Sequence, residues 1–216
     1  MIGKSADRTF GDRREAGRAL AEELVGHCAG SDVVVLGLAR GGVPVGAEIA
    51  AALQAPLDVF VVRKLGVPQW PELAMGAIAS GGGVVVNEQV ICSLRIGDAQ
   101  LQAVIAAEVE ELERRETEYR GATSRPRLTG RTVVLADDGI ATGATMLAAV
   151  RAVRAARPAR VIVAVPVGPP SVDERLCGEA DDVVVAVTPR RFDAVGQVYA
   201  DFTQVSDDEV RAALRT

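Results

Sequence analysis

Short apolar runs alternate along the chain with segments whose apolar positions recur every three or four residues. The runs have strand length and the periodic segments helix length, which predicts an α/β fold: a parallel-sheet core flanked by helices. Strands are expected over 32–38, 58–62, 132–136, 160–165 and 182–187. Their uniform apolarity suits strands covered on both faces. A first helix follows Asp12, with Ala16, Leu20 and Leu24 on one face and Glu15 at the reciprocal capping position. Pro44 suits the first turn of a second, running to about position 54. A long helix is expected over 100–119, with Leu101, Val104, Ile105, Val109 and Leu112 on one face and mostly Glu and Arg on the other. Further helices are expected over 142–156, near 171–180, and over 207–214 behind a Ser206/Glu209 capping box.

Two stretches break the rhythm. Between 65 and 87, Gly66, Pro68, Pro71 and the Gly81-Gly82-Gly83 triplet interrupt a segment in which 75–79 and 84–86 can pair as a hairpin. Between 188 and 204 lie Phe192, Tyr199 and Phe202, three of only seven aromatic residues in the chain. Rings beside a ligand site can stack on a flat heterocycle, although rings in such a segment more often form a small cluster that pins the C-terminal part. Neither a repeat nor a low-complexity linker divides residues 1–216, so a single domain is expected.

Composition removes several functions. Lys and Arg number 24 against 29 Asp and Glu, a net charge of −5, which argues against bulk affinity for nucleic acid or anionic membranes. No apolar run approaches the roughly 18 residues of a spanning helix, so a cytoplasmic protein without a membrane partner is expected. Cys28, Cys92 and Cys177 are widely spaced, and His27 is the only histidine. A structural zinc site is therefore excluded and buried free thiols are expected. Neither a P-loop nor a Gly-x-Gly-x-x-Gly after a strand is present.

The most informative segment is Val133-Val134-Leu135-Ala136-Asp137-Asp138-Gly139-Ile140-Ala141-Thr142-Gly143-Ala144-Thr145. A buried strand here delivers two adjacent carboxylates at its carboxyl end, where α/β sheets place ligands. A loop of small and hydroxyl residues then opens a helix. Its N–H groups, with the Thr142 and Thr145 hydroxyls, make an anion cradle fitted to a phosphate. Two carboxylates beside such a cradle suit a ribose diol or a magnesium ion held next to the phosphate. A plain strand-to-helix turn would account for one aspartate and leave the rest of the pattern unexplained.

This segment resembles the signature of the type I phosphoribosyltransferases. The resemblance implies that Asp137 and Asp138 hold the ribose hydroxyls of PRPP and, directly or through PRPP and water, a magnesium ion. It also implies that Ala141, Thr142, Gly143, Ala144 and Thr145 bind the 5-phosphate. Gly139 departs from the family, which usually carries an aliphatic residue there. Ala39, Arg40, Gly41 and Gly42, after the strand ending at Leu38, fall where the family binds pyrophosphate. Arg63 and Lys64, after the next strand, would face the same group and open a mobile loop over about 65–87. Lys64 is one of only two lysines in the chain. Catalysis would then rest on Asp137, Asp138, Lys64 and Arg40. Ala141 stands where the 6-oxopurine enzymes carry an acid, which resembles the adenine and orotate enzymes instead. Residues 188–204 become the candidate hood, with Phe192, Tyr199 and Phe202 facing the acceptor. The chain as a whole is similar to a bacterial group of phosphoribosyltransferase-domain proteins to which no substrate is assigned.

The expected activity is therefore transfer of a phosphoribosyl group from PRPP to a small nitrogen acceptor with release of pyrophosphate, using Mg2+. Nothing in the sequence argues against a homo-oligomer. Two other readings share the same residues: a regulator that binds PRPP or a nucleotide without turnover, and a magnesium-dependent hydrolase of a phosphorylated sugar.

Overall fold

Five apolar strands lie side by side, all parallel, in the order β2 (Leu57–Phe60), β1 (Val33–Leu38), β6 (Thr132–Ala136), β7 (Arg160–Val167) and β8 (Asp182–Val187). This computed structural model describes residues 8–215 apart from 29, 31, 122, 173–175 and 177. Every residue of β1 and β6 is buried. The pleat sends successive side chains to opposite faces. Val33, Val35, Val134 and Ala136 join a core with α1 (Arg13–Cys28) and α2 (Gly42–Leu53). Val34, Leu36, Val133 and Leu135 join a second core with Met146, Ala149, Val150 and Val153 of α5 (Ala144–Ala155).

The capping logic read from the sequence operates at both ends of the chain. Asp12 Oδ1 accepts from Glu15 N at 2.8 Å, and the Glu15 carboxylate accepts from Gly11 N rather than from Asp12. Ser206 and Glu209 exchange the two bonds of a capping box at the start of α6 (Asp207–Ala213).

The stretch around 58–87 differs from the expected strand and loop. The chain leaves β2 after Phe60 and forms an antiparallel sheet of β3 (Val62–Val67), β4 (Trp70–Ala79) and β5 (Gly83–Val86). Arg63 and Lys64 thus lie inside a strand rather than after one. Leu65 and Val67, two apart, are both fully buried in a third core with Met75, Ile78 and Tyr119. That alternation outweighs the breakers near it. Gly66 sits at a register shift where a side chain would meet the Pro71 carbonyl oxygen at 2.6 Å. Pro71 falls in the same irregular stretch, where a missing ladder N–H is tolerated. Within β4 and β5, Ile78 pairs with Val84 and Gly76 with Val86.

A short helix the sequence did not suggest, α3 (Glu88–Ser93), is capped by Asn87, whose Oδ1 accepts from Val90 N at 3.2 Å. It buries none of its residues, so Cys92 is exposed, contrary to expectation. Cys28 is buried, as expected, and Cys177 lies outside the described residues. The helix expected near 171–180 falls partly outside them too; Val172 and Leu176 are buried. The long helix α4 (Asp98–Arg120) packs on β3 and β4. Among the described residues no helix is long and apolar enough to cross a membrane.

Candidate active site

The strand order fixes where a ligand can bind. From β1 the chain moves outward to β2, whereas from β6 it moves outward the other way to β7 and β8, so the topology reverses between β1 and β6. Open α/β sheets bind ligands outside the carboxyl ends of the strands at such a reversal. The two loops that leave this point are 39–42 and 137–143, the segments the sequence singled out.

These loops are in contact. A side chain on Gly42 would fall 2.8 Å from the Asp137 Cα, and one on Gly41 would fall 2.5 Å from Cγ of Asp138. The glycines therefore let the 39–42 turn lie directly on the acid pair. The turn is held by Ala39 N donating to Phe60 O at 3.0 Å and Val43 N donating to Arg40 O at 3.1 Å, and its Ala39–Arg40 peptide is cis.

After the acids, the backbone reaches Gly143 at φ +81°, a left-handed conformation that favours glycine, and enters α5. The start of α5, with Thr142 and Thr145, lines an open cavity of about 180 Å³ that Val195 also borders. A side chain at Gly139 would overlap Val195 and approach Val167 Cγ1 to 2.8 Å. The unusual glycine is thus matched to a valine from the 188–204 segment, which fills the space an aliphatic residue would take.

Both carboxylates have pKa values above the usual range for aspartate. Burial is the largest cause for Asp137, followed by the neighbouring Asp138 charge, with only partial relief from a hydrogen bond and Arg13. Burial also raises Asp138, opposed by the hydrogen bond and charge of Arg13. Asp137 Oδ1 accepts from Asp138 N at 2.9 Å, and Asp138 Oδ2 accepts from Arg13 Nε at 2.8 Å. Two adjacent acids that resist ionisation form a site that gains from a cation or from hydroxyl donors. Among the described residues no group of three or more His, Cys, Asp or Glu side chains converges to hold a metal. Two carboxylates fit a magnesium ion that brings waters and substrate phosphates as its other ligands.

The other candidate residues lie at varying remove. Arg40 NH1 is 3.6 Å from Asp207 Oδ1 at the start of α6, where Tyr119 Oη also donates to that oxygen. Arg63 and Lys64 point to opposite faces of β3, Arg63 pairing with Glu108 of α4 at 2.7 Å and Lys64 with Glu72 at 3.4 Å. Phe192 packs against the core shared with α1. Tyr199 is buried between Phe10 and Phe202, donates Oη to Asp138 O at 2.6 Å, and has its hydroxyl pKa pushed up by burial. Phe202 alone of the three rings is exposed.

Arg13, which the sequence reading passed over, is the basic side chain nearest the acids that the contacts reveal. The one signal for it was a cation in the first turn of a helix, where the dipole disfavours it. A larger cavity of about 260 Å³ lies between α4 and α6, but four of the charged residues lining it are paired with one another, Asp58 with Arg120 and Glu118 with Arg211. Neither strand loop lines it, so the reversal point remains the candidate site.

Residues 12–195 match the family model of the phosphoribosyl transferase domain. Two Mycobacterium tuberculosis proteins named "Putative phosphoribosyl transferase", from strains CDC 1551 and H37Rv, are 52% identical over 207 residues, 96% of this chain and 46% of theirs. The chain thus spans about half the length of the curated relatives it matches. The crystal structure of TT1426 from Thermus thermophilus is 44% identical, covering 95% of this chain and 97% of that one with a TM-score of 0.82. A Neisseria gonorrhoeae protein solved with bound ppGpp, 11% identical with a TM-score of 0.53 over 99% of this chain and 98% of that one, shares the fold.

Proposed function

The chain belongs to the phosphoribosyltransferase family, and from that premise we propose that it moves the 5-phosphoribosyl group of PRPP to a nitrogen acceptor, a nucleobase or related heterocycle, and releases pyrophosphate. The observation that carries this reading is the contact of the 39–42 turn with Asp137 and Asp138 across the strand reversal. A phosphate cradle, a pair of acids and a glycine turn in that sequence match the three parts of PRPP: 5-phosphate, ribose and pyrophosphate.

The 5-phosphate is received by N–H groups at the start of α5 and by Thr142 and Thr145, with Ala141 and Ala144 small enough to leave room. Asp137 and Asp138 accept from the ribose hydroxyls and set a negative field beside the anomeric carbon as positive charge develops there. The acceptor nitrogen forms its bond to that carbon as the bond to the pyrophosphate oxygen breaks. Backbone N–H groups of the 39–42 turn receive the leaving group, and Arg40 exchanges Asp207 for it. Lys64 adds cationic charge from one face of β3 while Arg63 keeps its pair with Glu108 on the other, and the exposed stretch 68–74 covers the anomeric carbon against water. A magnesium ion, when bound, neutralises pyrophosphate oxygens and so lowers the charge the leaving group must carry. Such preorganised electrostatics supply most of the acceleration. Ala141 offers no proton-transfer group to the acceptor, which favours acceptors that need none there.

The test is pyrophosphate release from PRPP and magnesium across a panel of purines, pyrimidines and other nitrogen acceptors. Release that depends on one acceptor class is expected. Release without any acceptor would identify water as the acceptor. Binding of PRPP without release under any condition would make the protein a sensor.

A further inference from the structure

Arg13 lies outside both loops, yet its side chain is only 11% exposed, whereas its neighbour Arg14 is half-exposed and reaches Glu48 at the surface. Three contacts hold the Arg13 guanidinium in different directions. Nε donates to Asp138 Oδ2 at 2.8 Å, NH1 donates to the Thr203 carbonyl at 2.8 Å, and Cζ lies over the Phe202 ring, 4.0 Å from its centre. We propose that Arg13 is a positioning residue: it fixes the Asp138 carboxylate beside the 39–42 turn and ties it to the C-terminal segment through Thr203 and Phe202. The inference rests on the PRPP reading above, and extends it to residues outside the phosphate signature.

The geometry requires a guanidinium. An ammonium could satisfy the carboxylate, but it lacks the planar fork that reaches a second acceptor while its central carbon lies over a ring. Tyr199 completes the arrangement from the other side, since its hydroxyl donates to the Asp138 carbonyl and its ring stacks on Phe202 at 4.9 Å. Asp138 is therefore held at side chain and main chain by residues from outside its own loop. A site whose reacting groups are locked by such supporting contacts needs less rearrangement when substrate binds. Tyr199 and Phe202 thereby serve the acid pair, which gives the burial of Tyr199 a reason.

The test combines two readouts on the whole chain. Calorimetric titration with PRPP and magnesium should show affinity at least tenfold weaker in Arg13→Ala and in Arg13→Lys. Millimolar guanidinium ion should restore part of the loss in the alanine variant without moving its unfolding midpoint, which a merely structural role does not allow. Phe202→Ala, a change at an exposed ring, should give a smaller loss and covers the case in which Arg13→Ala fails to fold. Hydrogen exchange without ligand should show lost protection around 137–139 and 199–203 in both Arg13 variants. Wild-type affinity in Arg13→Ala, or full function in Arg13→Lys, overturns the inference. If the wild type itself does not bind PRPP, the functional reading fails. The positioning role is then decided by exchange, and unchanged protection overturns it.

Discussion

Gly41 of the turn after β1 lies directly on Asp138 of the loop after β6, so closely that a methyl group there would fall 2.5 Å from the carboxylate carbon. The backbone at Gly41 is ordinary, with φ −59° and ψ −33°, so alanine would be free of conformational strain there. Collision alone separates the two residues. Gly41→Ala should weaken PRPP binding by tenfold or more, measured by titration, while the far-ultraviolet circular dichroism spectrum is unchanged. Unaltered affinity would mean that the contact of the two loops has no part in the site.

Asp137 is expected to work against the fold it serves. Burial and the Asp138 charge raise its pKa in the folded chain above the unfolded value, so the native state binds more protons than the unfolded state as pH rises past that value. Stability is therefore lost with rising pH, and the penalty is fully present above the raised pKa. Asp137→Asn should stabilise the protein at neutral pH by about 0.5–2 kcal/mol, the usual size of a stabilising change, and should abolish turnover. Denaturant titrations should show the gain disappearing at pH values below the ordinary aspartate pKa. A gain that persists there would contradict the linkage.

Gly139 and Val195 should behave as a coupled pair. Gly139→Ala forces a methyl group into the valine and should cost about 1–3 kcal/mol, as overpacking does. Val195→Ala makes room, so the double variant should recover most of that loss. A double-mutant cycle in chemical denaturation measures the coupling, and strict additivity would count against the match.

Gly143 tests the phosphate cradle. Its φ of +81° costs any other residue about 1–2 kcal/mol, so Gly143→Ala should lower stability by that order and reduce affinity for ribose 5-phosphate. Retained affinity in titration would separate the cradle from the phosphate.

Much of this arrangement was legible in the sequence because it depends on local pattern. The strands ending at Leu38 and Ala136 announce themselves by uninterrupted apolarity, and the acids and glycines follow at once. The reversal of strand order between β1 and β6 was not legible, since pairing partners far apart leave no mark on either segment alone. The stretch near Gly66 and Pro71 misled because both residues punctuate loops, whereas here they share one irregular point in a sheet fixed by buried Leu65, Val67 and Met75. Arg13 was hidden for a similar reason: its partners, Asp138 and Thr203, lie 125 and 190 positions away. The match of Gly139 to Val195 likewise exists only in three dimensions.

The central claim, that the loops after β1 and β6 form one PRPP site, is tested most directly by calorimetric titration of PRPP with magnesium into the wild type and into the Asp137→Asn, Asp138→Asn double variant. The expected result is saturable binding at one site per chain, lost in the double variant although it remains folded. Absence of binding by the wild type at millimolar PRPP, or equal binding by both proteins, would contradict the claim.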